Sequence, residues 1–182
     1  MLDNIPVSAS LMLQRFRQDQ IDPIRAIVAG AFDSEALAEE VAHTLRCYCE
    51  SGRALLELDE QTDEPLPTEY WIMVDLDTMT PLGICGLYRF AWAWEKSFWL
   101  GWFAVTPDRH GQGLGTDMLQ TLFRIARSKG CEVFKVETGR GSRATQFYKK
   151  MGFTEEGVLS RHYSQTLDAT VLSRDMADIE KL

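Results

Sequence analysis

The stretch Phe98–Lys129, FWLGWFAVTPDRHGQGLGTDMLQTLFRIARSK, constrains this chain more than any other. It opens as an apolar, aromatic-rich run from Phe98 to Val105 closed by Thr106-Pro107, the length and punctuation of a buried strand. Gly111, Gly113 and Gly115 then fall on alternate positions, and Leu114, Met118, Leu122 and Ile125 recur at near-helical spacing. Strand, glycine turn and helix in immediate succession leave backbone N–H groups unpaired at the positive end of a helix dipole. That arrangement favours an anion, above all a phosphate. Alternate glycines also let a ligand approach the main chain closely.

Two common phosphate signatures are absent. No lysine follows the glycines as a Walker loop requires, and Thr116 stands where a dinucleotide fingerprint has its third glycine. The stretch resembles instead the signature of the GNAT N-acetyltransferase superfamily, Gln/Arg-x-x-Gly-x-Gly/Ala after a strand ending Val-x-Pro. Val105, Pro107, Gly113 and Gly115 match, and His110 takes the Gln/Arg position. A second segment, Ala144 to Phe153 (ATQFYKKMGF), is similar to the family's N-x-x-A-x-x-x-Y-x-x-x-G-F pattern. Ala144, Tyr148, Gly152 and Phe153 fall at its offsets, with Gly141 in the asparagine position. The two motifs stand one helix and one strand apart, as in the family.

The resemblance implies a mixed α/β (α+β) GNAT-like fold: a six- to seven-stranded, largely antiparallel sheet flanked by about four helices. It implies acetyl-CoA as cosubstrate, with the pyrophosphate on the loop His110, Gly111, Gln112, Gly113, Leu114, Gly115 and Thr116. The pantetheine arm would pair with the strand at Phe103, Ala104 and Val105, in a gap between the family's fourth and fifth strands. Tyr148 would act as general acid toward the departing thiolate and also line the cofactor site; a strand amide near Val105 would stabilise the oxyanion. Glu95 and Glu137, at strand ends, are candidate bases, and Tyr163 and Asp168 lie where the family often closes the acceptor pocket. The implied reaction is acetyl transfer to a primary amine of a small molecule. A protein N-terminal or lysine amine is the alternative acceptor, and a non-catalytic acyl-CoA-binding module the alternative outside enzymes. A homodimer through the C-terminal strands is common in such folds.

At 182 residues and 45% hydrophobic content, the chain suits one domain over 1–182, the likeness covering about 11–176. The N-terminus MLDNIPVSAS lacks a basic, then apolar, leader, and no run of about eighteen apolar residues marks a membrane span. A cytoplasmic protein is the expectation. Cys47, Cys49, Cys85 and Cys131 show no C-x-x-C spacing and no partner histidines, which argues for reduced thiols and no metal. The net charge of −8 argues against nucleic acid. Its distribution is uneven: nine Lys/Arg against three Asp/Glu from Arg109 to Lys150, ten against twenty-four elsewhere. A basic segment around the loop suits a polyanionic cofactor and an acidic remainder a cationic acceptor.

Along the chain, Leu11 to Arg17 reads as a strand or a helical turn. Asp22-Pro23 reads as N-cap and N1 of a first helix; Ser34 caps a second that Gly52 closes. Glu57 to Glu69 reads as an acidic loop, and Tyr70–Asp75 with Leu82–Phe90 as a hairpin, followed by Trp92 and Trp94 in a turn. Gly130 is placed as C′ of the central helix, Cys131–Glu137 as a strand and Arg143–Met151 as a helix. Val158–Ser164 and Ala169–Met176 are two last strands around a turn containing Asp168.

Overall fold

The computed structural model describes residues 3–51, 68–90 and 93–181. Gly52, Trp92 and most of the acidic loop lie outside the described residues. The elements are β1 (Asn4–Pro6), β2 (Leu11–Arg15), α1 (Ile21–Phe32), α2 (Glu35–Ser51), β3 (Glu69–Asp75), β4 (Pro81–Tyr88), β5 (Ser97–Leu100) and β6 (Ala104–Val105). Then follow α3 (Leu114–Ser128), β7 (Val133–Gly139), α4 (Arg143–Lys150), β8 (Thr154–Ser164) and β9 (Leu167–Asp175). One nine-stranded sheet runs β1-β2-β3-β4-β5-β7-β9-β8, with β6 pairing β4 off that path. Every pairing is antiparallel except β5 with β7.

The sheet exceeds the expected six or seven strands for two reasons. The three-residue β1 ends in Pro6 and is too short to show alternation. The expected single strand Phe98–Val105 is two strands, because the chain leaves the ladder after Leu100. There the Gly101 N–H donates to the Gly86 carbonyl at 2.9 Å. Trp102 packs against one face of the sheet and Phe103 against the other.

Two apolar clusters cover the two faces. Trp71 and Met73 of β3 join Cys85, Leu87, Phe98, Phe134 and Val136 beneath α3, which contributes Leu114, Met118, Leu119, Leu122, Phe123, Ile125 and Ala126. Tyr70, Ile72 and Val74, the alternate β3 residues, join Ile84 and Ala104 beneath α1 and α2. β3 is therefore buried on both faces, which is why it reads as a continuous apolar run rather than an alternating one. Full burial of a side chain such as Leu122, at 0% exposure, contributes about 1.5–3 kcal/mol.

Local chemistry explains the helix ends. α1 begins at Ile21 after a 3-10 turn over Gln18–Gln20, so Asp22-Pro23 is not its cap; Pro23 stands at the third helical position, where no intrahelical N–H is required. Ser34 caps α2 as expected, its Oγ accepting the Leu37 N–H at 3.3 Å. α3 ends at Lys129 with Gly130 beyond it at φ +84. Asp168 is not in the final turn but is the second residue of β9.

Candidate active site

The glycine turn opens α3 with a row of unpaired main-chain amides. Gly113 is the N-cap of α3 with φ 87, Gly111 has φ 75, and no side chain caps the helix. Among the described residues, the main-chain N–H groups from Gly111 to Thr116 find no protein acceptor. A Cβ built on Gly111 or Gly113 would meet nothing within 4 Å, so the space above the loop is open to a ligand. Glycine is required here by its dihedrals, not by crowding. No group of three or more candidate metal ligands occurs among the described residues.

Beside the cradle the sheet parts. β5 and β7 pair only from Ser97↔Val133 to Trp99↔Lys135, after which β7 continues to Gly139 along β9 alone. β6 pairs only with β4, through Gly83↔Val105 and Ile84↔Ala104, while the Thr106 N–H donates to the Leu82 carbonyl at 2.8 Å. This close approach needs Gly83, where a Cβ would lie 2.5 Å from the Ala104 oxygen. Antiparallel alternation then turns the N–H and C=O of Val105 away from β4, toward the gap. The Val105 carbonyl is already occupied, accepting from His110 Nε2 at 2.8 Å. A carbonyl only accepts, so Nε2 carries the proton. His110 is thus turned back onto the strand as a tether of the loop, leaving the Val105 N–H on the gap side.

Tyr148 reaches the same place from α4. Ser142 caps that helix, accepting the Thr145 N–H at 3.1 Å, and the Thr145 hydroxyl donates to the Gly139 carbonyl at 2.9 Å, fixing α4 to the end of β7. At the other end the buried Arg174 guanidinium donates to the Met151 carbonyl and lies over Phe123, 5.1 Å from its centroid. Tyr148 is held at centroid distances of 6.3, 5.2 and 5.5 Å from Phe103, Phe147 and Phe153. Phe103 stacks on Phe147, and a Cβ on Gly115 would lie 3.7 Å from Phe147 and 3.9 Å from Phe103. Cradle, strand and tyrosine therefore converge. Burial raises the Tyr148 hydroxyl pKa above the usual tyrosine value, with Tyr163 nearby adding to the effect. The group stays a donor.

Among the described residues, no helix covers the opposite face of the same gap. α1 and α2 pack over β3, β4 and β6 but not over β5 and β7, where Trp99, Lys135 and Glu137 remain partly exposed on one face. Tyr88 stacks on Trp99 at 6.4 Å and Phe90 meets it edge-on at 5.3 Å, forming an aromatic wall. Glu137 lies two residues past the last β5–β7 pair, with its Oε1 2.9 Å from His162 Nε2. Tyr163 also bonds Glu137; desolvation first, then this carboxylate, pushes its pKa up. Glu95 is exposed in the turn before β5, where its carbonyl accepts from Arg89 at 2.7 Å and its side chain faces Lys96. The structure does not bring it to Glu137 or Tyr148.

Charges segregated along the sequence mix in space. Lys129, Lys135, Arg140 and Lys149 pair with Glu69, Glu156, Asp168 and Glu155, all acids from outside the basic segment. The unpaired charge near the loop is therefore that of its amides more than of nearby cations. Sequence reasoning missed His162, which meets Glu137 beside a register shift of β8 that leaves no periodic trace. It also missed the partnership of Phe103 with Phe147, which comes from two separate elements.

The sequence matches the model of the Acetyltransferase (GNAT) family over residues 37–153. A glucosamine 6-phosphate N-acetyltransferase of Trypanosoma brucei brucei is 41% identical over 49 residues, 27% of this chain; the match spans about a third (32%) of that relative's length. Among solved structures, a GNAT-family acetyltransferase from Desulfovibrio desulfuricans superposes with TM-score 0.75 at 20% identity, covering 92% of this chain and 99% of that one. A ribosomal L7/L12 α-N-protein acetyltransferase in complex with coenzyme A gives TM-score 0.67 at 15% identity, with 94% and 97% covered.

Proposed function

Because the chain belongs to the GNAT acetyltransferase family, whose members use acetyl-CoA, we propose that it transfers an acetyl group from acetyl-CoA to the primary amine of a small molecule. The observation that carries this reading is the unpaired amide row of Gly111 to Thr116, opening beside the β6–β7 gap at whose edge Tyr148 sits. The amides fit a pyrophosphate, and the gap-facing edge of β6 fits an extended amide-bearing arm that would add as a strand. When bound, acetyl-CoA supplies an acyl group activated as a thioester.

The chain's own residues then divide the work. Glu137 takes the proton that the acceptor's ammonium must lose before its nitrogen can attack. The Val105 N–H donates to the carbonyl oxygen as negative charge develops there. As the C–N bond forms and the C–S bond breaks, the Tyr148 hydroxyl donates to the sulfur; burial keeps that proton in place at neutral pH. Phe103 and Phe147 keep water from the thioester side. Glu95, in its exposed turn, is given no part.

A peptidyl amine is the second reading, supported by the sheet face over β5 and β7 that no helix covers among the described residues. The phosphorylated amino sugar named for the trypanosomal relative would meet Glu137 on that face, an unfavourable neighbour for a phosphate. A second copy would pair along β8, the longer of the sheet's two edge strands. The test is a panel of amines, amino sugars and N-terminal peptides with acetyl-CoA, following free thiol. Calorimetry without heat for acetyl-CoA or CoA refutes the cofactor assignment. Binding with no thiol release for any amine favours the acyl-CoA-binding module.

A further inference from the structure

β8 is irregular at two places, and the second lies beside Glu137. Its register with β9 shifts between Leu159 and Ser164, and Arg161 takes φ 55, a region that side-chain-bearing residues rarely enter. Asp168 of β9 holds that conformation: its Oδ1 accepts the Arg161 N–H at 2.8 Å. The other contacts of Asp168 lead to the β7–α4 turn, where its carbonyl accepts the Arg140 N–H at 3.0 Å and its Oδ2 lies 3.4 Å from the Arg140 guanidinium. The Arg140 side chain is 59% exposed, so that ion pair contributes little. The consequence of the bulge is directional. His162 reaches past β9 to β7, 2.9 Å from Glu137, and Tyr163 bonds the same carboxylate. Both side chains stay exposed, as does most of that strand, and they meet Glu137 at the open edge of the sheet.

We propose that Asp168 is a positioning residue for the acceptor: by clamping the β8 bulge it sets His162 and Tyr163 on Glu137, and so fixes the carboxylate that seats the acceptor's ammonium group at the parting of β6 and β7. The Glu137 side chain is 26% exposed, within reach of a solute from the face that no helix covers among the described residues. The aromatic wall of Tyr88 and Trp99 lies beside it, suited to the alkyl part of an amine. This inference rests on the acetyltransferase reading, and its test is chosen to fail separately.

The chain has three histidines, His43, His110 and His162, so proton–carbon NMR of the imidazoles resolves His162 once His162→Gln identifies its signal. The probe is n-butylammonium chloride, with n-butanol as the uncharged control. The His162 signal is expected to move saturably with n-butylammonium and not with n-butanol. Asp168→Ala moves the free-protein signal to the position found in Glu137→Gln and weakens n-butylammonium binding about tenfold. Asp168→Asn, whose amide oxygen still accepts from Arg161, behaves as the unmodified protein. Adding Arg161→Gly to Asp168→Ala restores both readouts, because glycine holds a positive φ without a clamp. Heats of acetyl-CoA binding stay unchanged throughout, which separates this outcome from failure of the cofactor reading. The proposal is overturned if n-butylammonium leaves His162 unmoved, if Asp168→Ala leaves its signal and the binding unchanged, or if Arg161→Gly gives no rescue. Should Asp168→Ala not fold, the double variant decides alone: an unmodified His162 signal supports the clamp and a displaced one refutes it.

Discussion

Gly113→Ala is the sharpest perturbation of the proposed phosphate cradle, because its cost has one source. At φ 87 an alanine must adopt a left-handed conformation, yet a Cβ there meets nothing within 4 Å. Crowding contributes nothing, and the dihedral penalty of about 1–2 kcal/mol is the whole effect on stability. For a chain of this size that lowers Tm by about 2–8 °C. Relief of the strain rotates the peptide planes at the start of α3 and withdraws one amide from the anion. A hydrogen bond to a charged group is worth about 1.5–3 kcal/mol, so CoA affinity falls by roughly 10- to 150-fold. Calorimetry with CoA, and with pantetheine as the ligand lacking phosphates, separates the two consequences: pantetheine binding should be unchanged. Gly115→Ala is the control, since that residue is helical and its Cβ would make ordinary contacts of 3.7–3.9 Å with Phe147 and Phe103. Its stability should rise by about 0.5–1 kcal/mol. If Gly113→Ala shows the expected thermal loss but binds CoA within twofold of the unmodified protein, the phosphates are not held by this loop and the reasoning fails.

Tyr148→Phe should lower thiol release on the order of a hundredfold while leaving CoA affinity within twofold, and the pH–rate profile should show no loss from this residue below about pH 10. Ser142→Ala removes the acceptor of the Thr145 N–H and should cost about 1 kcal/mol, read as a Tm fall of about 2–4 °C. Cys131 is pushed up to about 12 by burial, so its contribution to stability is complete below the ordinary thiol range near 8.5 and is lost as pH rises from there toward 12. Urea midpoints should therefore fall along that alkaline arm, and the slope should flatten in Cys131→Ala. Asp75, its pKa lowered by the Thr78 and Asp77 N–H groups, acts at the other end. Its contribution is present above about pH 4 and lost in acid as the carboxylate is protonated, which Asp75→Asn should make visible as a shallower acid arm.

Much of the fold is legible where one short stretch dictates its own outcome. Val105-Thr106-Pro107 and the alternate glycines carry their dihedral requirements with them, so the cradle and the start of α3 can be read directly. Ser34 and Gly130 are local signals of the same kind, and both stand where capping chemistry puts them. Tyr148 could be identified by its motif offset, but its enclosure by Phe103, Phe147 and Phe153 could not. Glu95 and Glu137 were equal candidates as strand-end carboxylates, and only the sheet separates them, placing one in an exposed turn and the other against His162. The division of Phe98–Val105 into β5 and β6 was equally hidden, since an apolar run carries no mark of which neighbour it will pair with at each residue.

The sequence by itself determined the glycine loop, the helix it opens and the family that its motifs identify. These are short-range features, written in dihedral preference and in backbone groups that must find a partner nearby. Tertiary structure alone decided where β7 leaves β5, that His110 turns back to the Val105 carbonyl, and that a bulge in β8 carries His162 to Glu137. Those contacts join residues whose separation along the chain has no fixed period. They exist only after the sheet has set its register, and no local pattern of residues encodes them.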